Sequence, residues 1–393
     1  MKILVVAPTP FFSDRGTHIR ILEEALALEK LGHEITIATY HIGRDIHDEV
    51  KTSIDVRRIR RLLFWYKKLE AGPDWQKIIL DLLLIKKVFF LARTKKPDII
   101  HGHLHEGVLI GWLVQKMLFW RKIKLVADFH GSLTKEMVSH KYLGSGFLKT
   151  TFGWIEKFIN NLGDWAITSS EENRKNISQI RKKPIDTVLD GVNLDYYASQ
   201  KTKIAIRKEL ELPEEKNIIT YTGALVPNKG TAYLFEALKY ALEKNPDLFF
   251  IIGGFPIEKA EEFVKENGFS KNIRLIHPLN YFHLPEILLA SDAGIDPKDS
   301  TVGQASGKIL QYMGAGLPVI CFKRENNLNY LKEGGIYAEK FSGIGLGEKI
   351  SELSSEKEKY ARLGEYNKNL AKNLSWDLSA QKIEKIYEEI FQA

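Results

Sequence analysis

Lysines and glycines placed where a loop opens into a helix are the plainest chemistry in this chain. The stretch Ser291–Phe322 reads as strand, polar loop, helix, turn and strand. Gly303, Ser306, Gly307 and Lys308 fall where the loop becomes the helix, and Gln311 follows within its first turns. The first N–H groups of a helix have no partner inside it and stand at the positive end of its dipole. This arrangement suits a phosphate. Lys229, in GALVPNKG between a strand and a helix, is a second cation of that kind. His130 comes two residues after Asp128, just past the end of an apolar strand. His101, His103 and His105 alternate in HGHLHEG, with no acidic or cysteine partner close in sequence; that is a weak zinc signal, and no metal is expected.

These residues need elements to position them. Seven apolar runs read as strands: Lys2–Ala7, Glu34–Tyr40, Ile54–Ile59, Asp98–His101, Lys124–Asp128, Trp165–Thr168 and Thr187–Leu189. Helical stretches lie between most of them, beginning with Thr17–Leu31, which predicts a parallel, doubly wound sheet with ligands at the carboxyl ends of its strands. The opening strand–helix turn lacks a G-x-G-x-x-G pattern, so neither NAD nor FAD is expected. A second run follows, with strands at Ile218–Thr222, Leu248–Ile252, Ile273–Ile276, Ala293–Asp296 and Leu317–Phe322. Its helix Thr231–Lys244 carries Leu234, Ala237, Leu238, Ala241 and Leu242 on one face.

The segment LQYMGAGLPVI resembles the signature of the retaining nucleotide-sugar glycosyltransferases of family 4, with Gln311, Met313, Gly314, Gly316, Pro318 and Val319 in matching places. Asp190-Gly191-Val192-Asn193 and the Lys229-Gly230 loop match in the right order. The resemblance implies a GT-B fold: α/β, two facing Rossmann-like doubly wound domains with an interdomain cleft. It places residues 1–189 plus 375–393 in an acceptor-side domain and 190–374 in a donor domain. It implies that His130 contacts the donor sugar, that Lys229 binds the diphosphate, and that Gly16 lies in a loop near the substrates. The chain also departs from the pattern. The Arg expected at the start of the Lys229 loop is Ala224, and Lys308 or Arg15 is the available substitute. The expected pair of glutamates falls on Gly303 and Gln311. A glycosyltransferase is therefore expected, with a non-catalytic sugar-nucleotide-binding protein or a sugar-nucleotide epimerase as the alternatives. Neither a metal nor another cofactor is implied.

The 393 residues suffice for two domains, and 44% hydrophobic content is enough for two cores. A lone cysteine, Cys321, permits no intrachain disulfide, and MKILVVAPTP reads as a first strand; a cytoplasmic enzyme is expected. Ile78–Leu91 and Val108–Trp120 are interrupted by charged and polar residues and read as core helices, not membrane spans. Charge is uneven: residues 1–190 hold 31 Lys and Arg against 22 Asp and Glu, whereas the rest is close to neutral. Arg57, Arg58, Arg60 and Arg61 stand beside Leu63, Phe64, Trp65 and Tyr66, a mixture suited to an anionic membrane face and a lipid-linked or glycan acceptor. No nucleic-acid motif accompanies it.

Overall fold

The computed structural model of the chain describes residues 1–69, 74–134, 137, 147–299 and 307–392. Gly303 and Ser306 of the expected anion loop lie outside the described residues. The chain divides into two compact units, Met1–Asp190 with Trp376–Ala393, and Gly191–Ser375.

The first unit is built on a seven-stranded parallel sheet. Its strands are β1 (Lys2–Ala7), β2 (Glu34–Thr39), β3 (Asp55–Arg58), β4 (Ile99–His103), β5 (Lys124–Phe129), β6 (Trp165–Thr168) and β7 (Ile185–Thr187), in the order β3-β2-β1-β4-β5-β6-β7. β1 reads Lys-Ile-Leu-Val-Val-Ala and is buried beyond Lys2, as a central strand covered on both faces must be. Helices α1 (Gly16–Lys30), α2 (Trp75–Lys95), α3 (Leu104–Met117), α4 (Phe147–Asn160) and α5 (Glu171–Ser178) make the crossovers. The chain steps one way from β1 to β2 and the other way from β4 to β5. Right-handed crossovers therefore put α1 on one face of the sheet and the adjoining α2, α3 and α4 on the other.

Two expectations need correction here. The seventh strand is Ile185–Thr187, not Thr187–Leu189: the Val188 N–H still donates to the Thr168 carbonyl at 2.9 Å, but its own carbonyl and the Asp190 carboxylate accept from a buried arginine described below. Nor are the second and third helices wholly core. α2 buries Leu80, Leu84 and Val88 but leaves Trp75, Ile78, Leu82 and Phe90 exposed, and α3 stops at Met117, so Phe119 and Trp120 stand out on a short 3-10 turn.

The second unit holds a six-stranded parallel sheet, β10-β9-β8-β11-β12-β13. Its strands are β8 (Asn217–Ala224), β9 (Leu248–Phe255), β10 (Ile273–Ile276), β11 (Ala293–Asp296), β12 (Val319–Phe322) and β13 (Gly335–Ala338). The short edge strand β13 has too weak an apolar pattern to be read from sequence. The helices are α6 (Lys203–Glu209), α7 (Thr231–Lys244), α8 (Glu258–Glu266), α9 (Leu284–Leu289), α10 (Gly307–Gly314), α11 (Glu325–Leu331), α12 (Gly343–Ser351) and α13 (Lys357–Ala371). The apolar face of α7 packs into a core with Ile219, Phe250, Ile252 and Ile295, as its periodicity requires. Tyr312 fastens α10 to the sheet: its ring covers Gly294, where a Cβ would come within 2.4 Å of it, and its hydroxyl accepts from the Thr222 N–H at 3.1 Å.

The last helix, α14 (Trp376–Gln392), belongs to the first unit and packs against α1. Between them lies Arg20, a fully buried cation on α1. Its guanidinium donates to Asp128 of β5 at 3.0 and 3.1 Å and to Asp190 at 2.5 Å, donates to the Val188 carbonyl at 3.3 Å, and faces the Trp376 ring at 5.9 Å. A charge removed from water needs a full set of such partners. Arg20→Met should therefore leave Asp128 buried without its cation and cost about 3–5 kcal/mol of stability. Urea unfolding of the full chain reads this; a loss below about 1 kcal/mol would show that the network carries no weight.

Candidate functional site

In the first unit the carboxyl ends of β4 and β5 bring three imidazoles to one carboxylate. His101 and His103, two residues apart on β4, project from the same face, and their rings stack at 4.6 Å. His103 Nδ1 lies 3.0 Å from His130 Nε2, and the Asp128 Oδ2 is 3.3 Å from the first and 3.6 Å from the second. Burial would raise the Asp128 carboxyl, but the Arg20 charge, with His130 and His103, holds it well below the usual carboxylate range. Burial lowers His103 to about 4 and takes His101 well below its ordinary value, so both rings are neutral at physiological pH. Glu24 of α1 is driven the other way, well above the ordinary range, by burial and then by the Asp128 charge.

His101 is anchored from behind by the Tyr387 hydroxyl of α14 at 2.6 Å. His101 thus stacks on His103, His103 is within hydrogen-bond distance of His130, and Asp128 lies beside all three rings. His105 does not join it; it enters α3 and packs against Phe129. The sequence suggested no acidic partner for these histidines, yet Glu24 and Asp128 are both beside them. Glu24, His101, His103 and Asp128 place one ligand atom each within 4.8 Å of one another. The carboxylates are far away in sequence, on α1 and β5, and only the packing of α1 on the sheet unites them.

Gly16 is the first residue of α1, with open space where a side chain would stand. Near it His18 is buried with its Nδ1 2.6 Å from the Ser13 Oγ; burial, then Arg15, lowers it to about 3. Sequence reading passed over His18, Arg20 and Glu24, which look like ordinary residues of an amphipathic helix.

In the second unit the strand order reverses between β8 and β11, which is where ligands bind on open parallel sheets. The loop after β8 carries Lys229 and the loop after β11 carries Lys298. They touch: Gly230 has φ +79°, and a Cβ there would fall 2.0 Å from the Pro297 carbonyl oxygen, so only glycine fits. Lys308, in the first turn of α10, extends over the Tyr221 ring at 4.0 Å and reaches Asp296 at 3.5 Å. Arg324, just before α11, donates to the Lys298 carbonyl at 3.2 Å. The side chains of Lys298, Arg324 and Asp296 are buried. Lys229, Lys298, Lys308 and Arg324 thus gather near the buried Asp296, with Asp299 also close to Arg324, and positive charge is in excess.

Lys308, one of the two cations that the sequence offers in place of Ala224, lies in this cluster, whereas Lys298 was missed because a lone lysine after Pro297 has no distinguishing pattern. Gln311 is half-buried next to Tyr312 on α10, and Gly307 is exposed at the start of that helix. Of the basic segment, Arg57 pairs with Asp55 at 2.7 Å, while Arg60, Arg61 and Trp65 are exposed. Arg58 instead is structural, donating to the Phe11 and Arg44 carbonyls at 2.8 and 2.7 Å, and Leu63 and Tyr66 lie in the core.

Two doubly wound parallel sheets, with a switch-point cluster of cations on the second, define an α/β two-domain protein equipped for anions. Comparison with known families gives this class its name. Residues 15–196 match the family model "Glycosyltransferase Family 4", and residues 202–370 match "Glycosyl transferases group 1". The chain belongs to the group 1 glycosyltransferases and has their GT-B fold. The D-inositol 3-phosphate glycosyltransferase of Corynebacterium glutamicum is 23% identical over 95% of this chain and 91% of that one. The sucrose-phosphate synthase of Thermosynechococcus elongatus superposes with a TM-score of 0.79 at 16% identity, over 100% of this chain and 99% of that one. Anabaena HepE, in complex with UDP and glucose, gives 0.76 at 15% identity, over 99% of this chain and 100% of that one.

Lys298 adds a pH dependence to the cation cluster. Burial, then the Lys229 charge, lowers it to about 7. Its ammonium is therefore present below that pH and lost above it, which is the direction in which an anion site weakens. Affinity for a nucleoside diphosphate should fall as pH rises from about 7 to about 9, and binding near neutrality should take up a proton. Calorimetry in buffers of different ionisation heat measures both, and Lys298→Met should flatten them. An affinity of the unaltered protein that is constant across that window would remove Lys298 from the site.

Proposed function

We propose that this glycosyltransferase moves a sugar from a nucleotide-sugar donor to a glycan, lipid-linked or small-molecule acceptor, with retention of anomeric configuration. The carrying observation is the convergence of Lys229, Lys298 and Lys308 at the switch point of the second sheet. A diphosphate is what leaves when the donor's glycosidic bond breaks. Preorganised cations lower the barrier because they meet charge that grows in the transition state. The UDP held by HepE, a chain of the same fold, supports a nucleoside diphosphate as the leaving group.

In this reading the bond from the anomeric carbon to the diphosphate oxygen breaks, and the acceptor hydroxyl adds on the same face of the sugar. Its proton passes to the departing phosphate oxygen, so no separate side-chain base is required. His130 is the residue assigned to the donor sugar, and Asp128 at 3.6 Å and His103 at 3.0 Å fix its ring. Gln311 offers a hydrogen-bonding group to the nucleotide ribose. No resident metal enters this scheme: Asp128, the strongest anion among the clustered ligands of the first unit, already has Arg20 at 3.0 Å.

Screening nucleotide sugars for binding, transfer and hydrolysis tests the whole reading. Transfer or slow hydrolysis supports it. Binding without turnover in any acceptor mixture points to a sugar-nucleotide-binding protein, in keeping with Gly303 and Gln311 standing where the family has glutamates. Inversion at a sugar carbon without transfer points to an epimerase.

Lys229→Ala should weaken nucleoside-diphosphate binding by roughly 1–3 kcal/mol, as loss of one charge-assisted contact does. Unchanged affinity in calorimetry, with the fold intact, rules out the phosphate role. His130→Ala should lower turnover by about two orders of magnitude while the melting temperature is nearly kept. Normal turnover would remove His130 from catalysis, and simple unfolding would make it a residue of the fold, so either outcome overturns the assignment.

A further inference from the structure

The outer surface of the α2–α4 layer is unlike the rest of the first unit. Along α2, Trp75, Ile78, Leu82, Lys86, Phe90 and Arg93 follow one another at spacings of three and four and form a single outward line. Ile78 is 65% exposed and Leu82 61%. The line carries no acidic side chain, because Asp81 is turned inward to the Tyr40 hydroxyl at 2.6 Å. At the carboxyl end of α2, Arg121 donates to the Arg93 carbonyl at 3.5 Å, which brings exposed Phe119 and Trp120 alongside. At the other end, Lys68 pairs with Asp74 at 3.6 Å and holds the exposed Phe64 and Trp65 close by. On α4, Trp154 and Phe158 are exposed, and Phe158 packs edge-on against Trp112 of α3 at 5.7 Å.

Charge follows the same surface. Residues 51–124 contain 17 Lys and Arg against 6 Asp and Glu, a balance of +11 that exceeds the +7 of the whole chain. No helix among the described residues is long and apolar enough to cross a membrane. α2, with 21 residues, is about 31 Å long, a length that can lie flat along a surface.

We propose that this layer docks on an anionic lipid bilayer, with α2 lying in the headgroup plane, its apolar line immersed and its lysines and arginines among the lipid phosphates. Interleaving is what favours lipid over protein. A bilayer offers apolar depth and negative charge at the same spot, whereas a second copy would set the same lysines and arginines against one another across a two-fold interface. The surface is broader than the Arg57–Lys68 segment that the sequence suggested; Arg58 and Tyr66 of that segment face inward and take no part.

Co-sedimentation of the full chain with phosphatidylglycerol and with phosphatidylcholine vesicles tests this. Binding to the anionic vesicles should be tighter by about tenfold or more, should weaken with added salt, and should shift tryptophan fluorescence to the blue. Leu82→Glu with Phe90→Glu should abolish the shift, and Lys86→Glu with Arg93→Glu should cut affinity by about tenfold or more. All four side chains are exposed or at the surface edge, so the melting temperature and nucleoside-diphosphate binding should be unchanged. Absence of binding to anionic vesicles at low salt overturns the proposal. So does undiminished binding by both double variants, or a dimer in sedimentation that Leu82→Glu with Phe90→Glu dissolves.

Discussion

Arg20 is the constraint on which the first unit depends. A guanidinium with no access to water must be neutralised from several sides at once, and here the partners come from β5, from the residues after β7, and from the start of α14. The same carboxylate that neutralises it lies beside His101, His103 and His130. Fold and candidate chemistry therefore share one buried ion pair. Asp128 stays ionised because of Arg20, and His103 and His130 keep their places because of Asp128.

The second unit solves an opposite problem. It keeps more positive charge than it neutralises, with one buried carboxylate, Asp296, among Lys229, Lys298, Lys308 and Arg324. Like charges held together in a partly dry site are unfavourable until an anion arrives. Close backbone approach at Gly230 and the clamp of Tyr312 over Gly294 provide the rigidity that holds them there.

Outside these sites, the α2–α4 surface marks the limit of a simple inside–outside reading. A helix in a crossover must bury one face; α2 does so with Leu80, Leu84 and Val88. Nothing in that requirement explains apolar residues on its other face, and their alternation with Lys86 and Arg93 is a property of the surface and not of the core.

The sequence by itself determined most of the architecture. Strong local patterns, as in β1 and α7, are enough to set element type, and alternation of strand and helix is enough to set a parallel sheet. Lys229, Lys308, Gln311 and His130 were legible as candidates because they lie at strand ends, helix starts or in recognisable motifs. Weak or competing signals failed: β13 is short and at an edge, and β7 ends where the Val188 carbonyl accepts from Arg20. Tertiary structure alone decided which of the candidates meet. Arg20 and Asp128 are 108 residues apart, and Lys229 and Lys298 belong to loops joined only by the order of the strands. Periodicity is a property of neighbours along the chain. Neutralising a buried charge depends on distances through space, which no local pattern encodes.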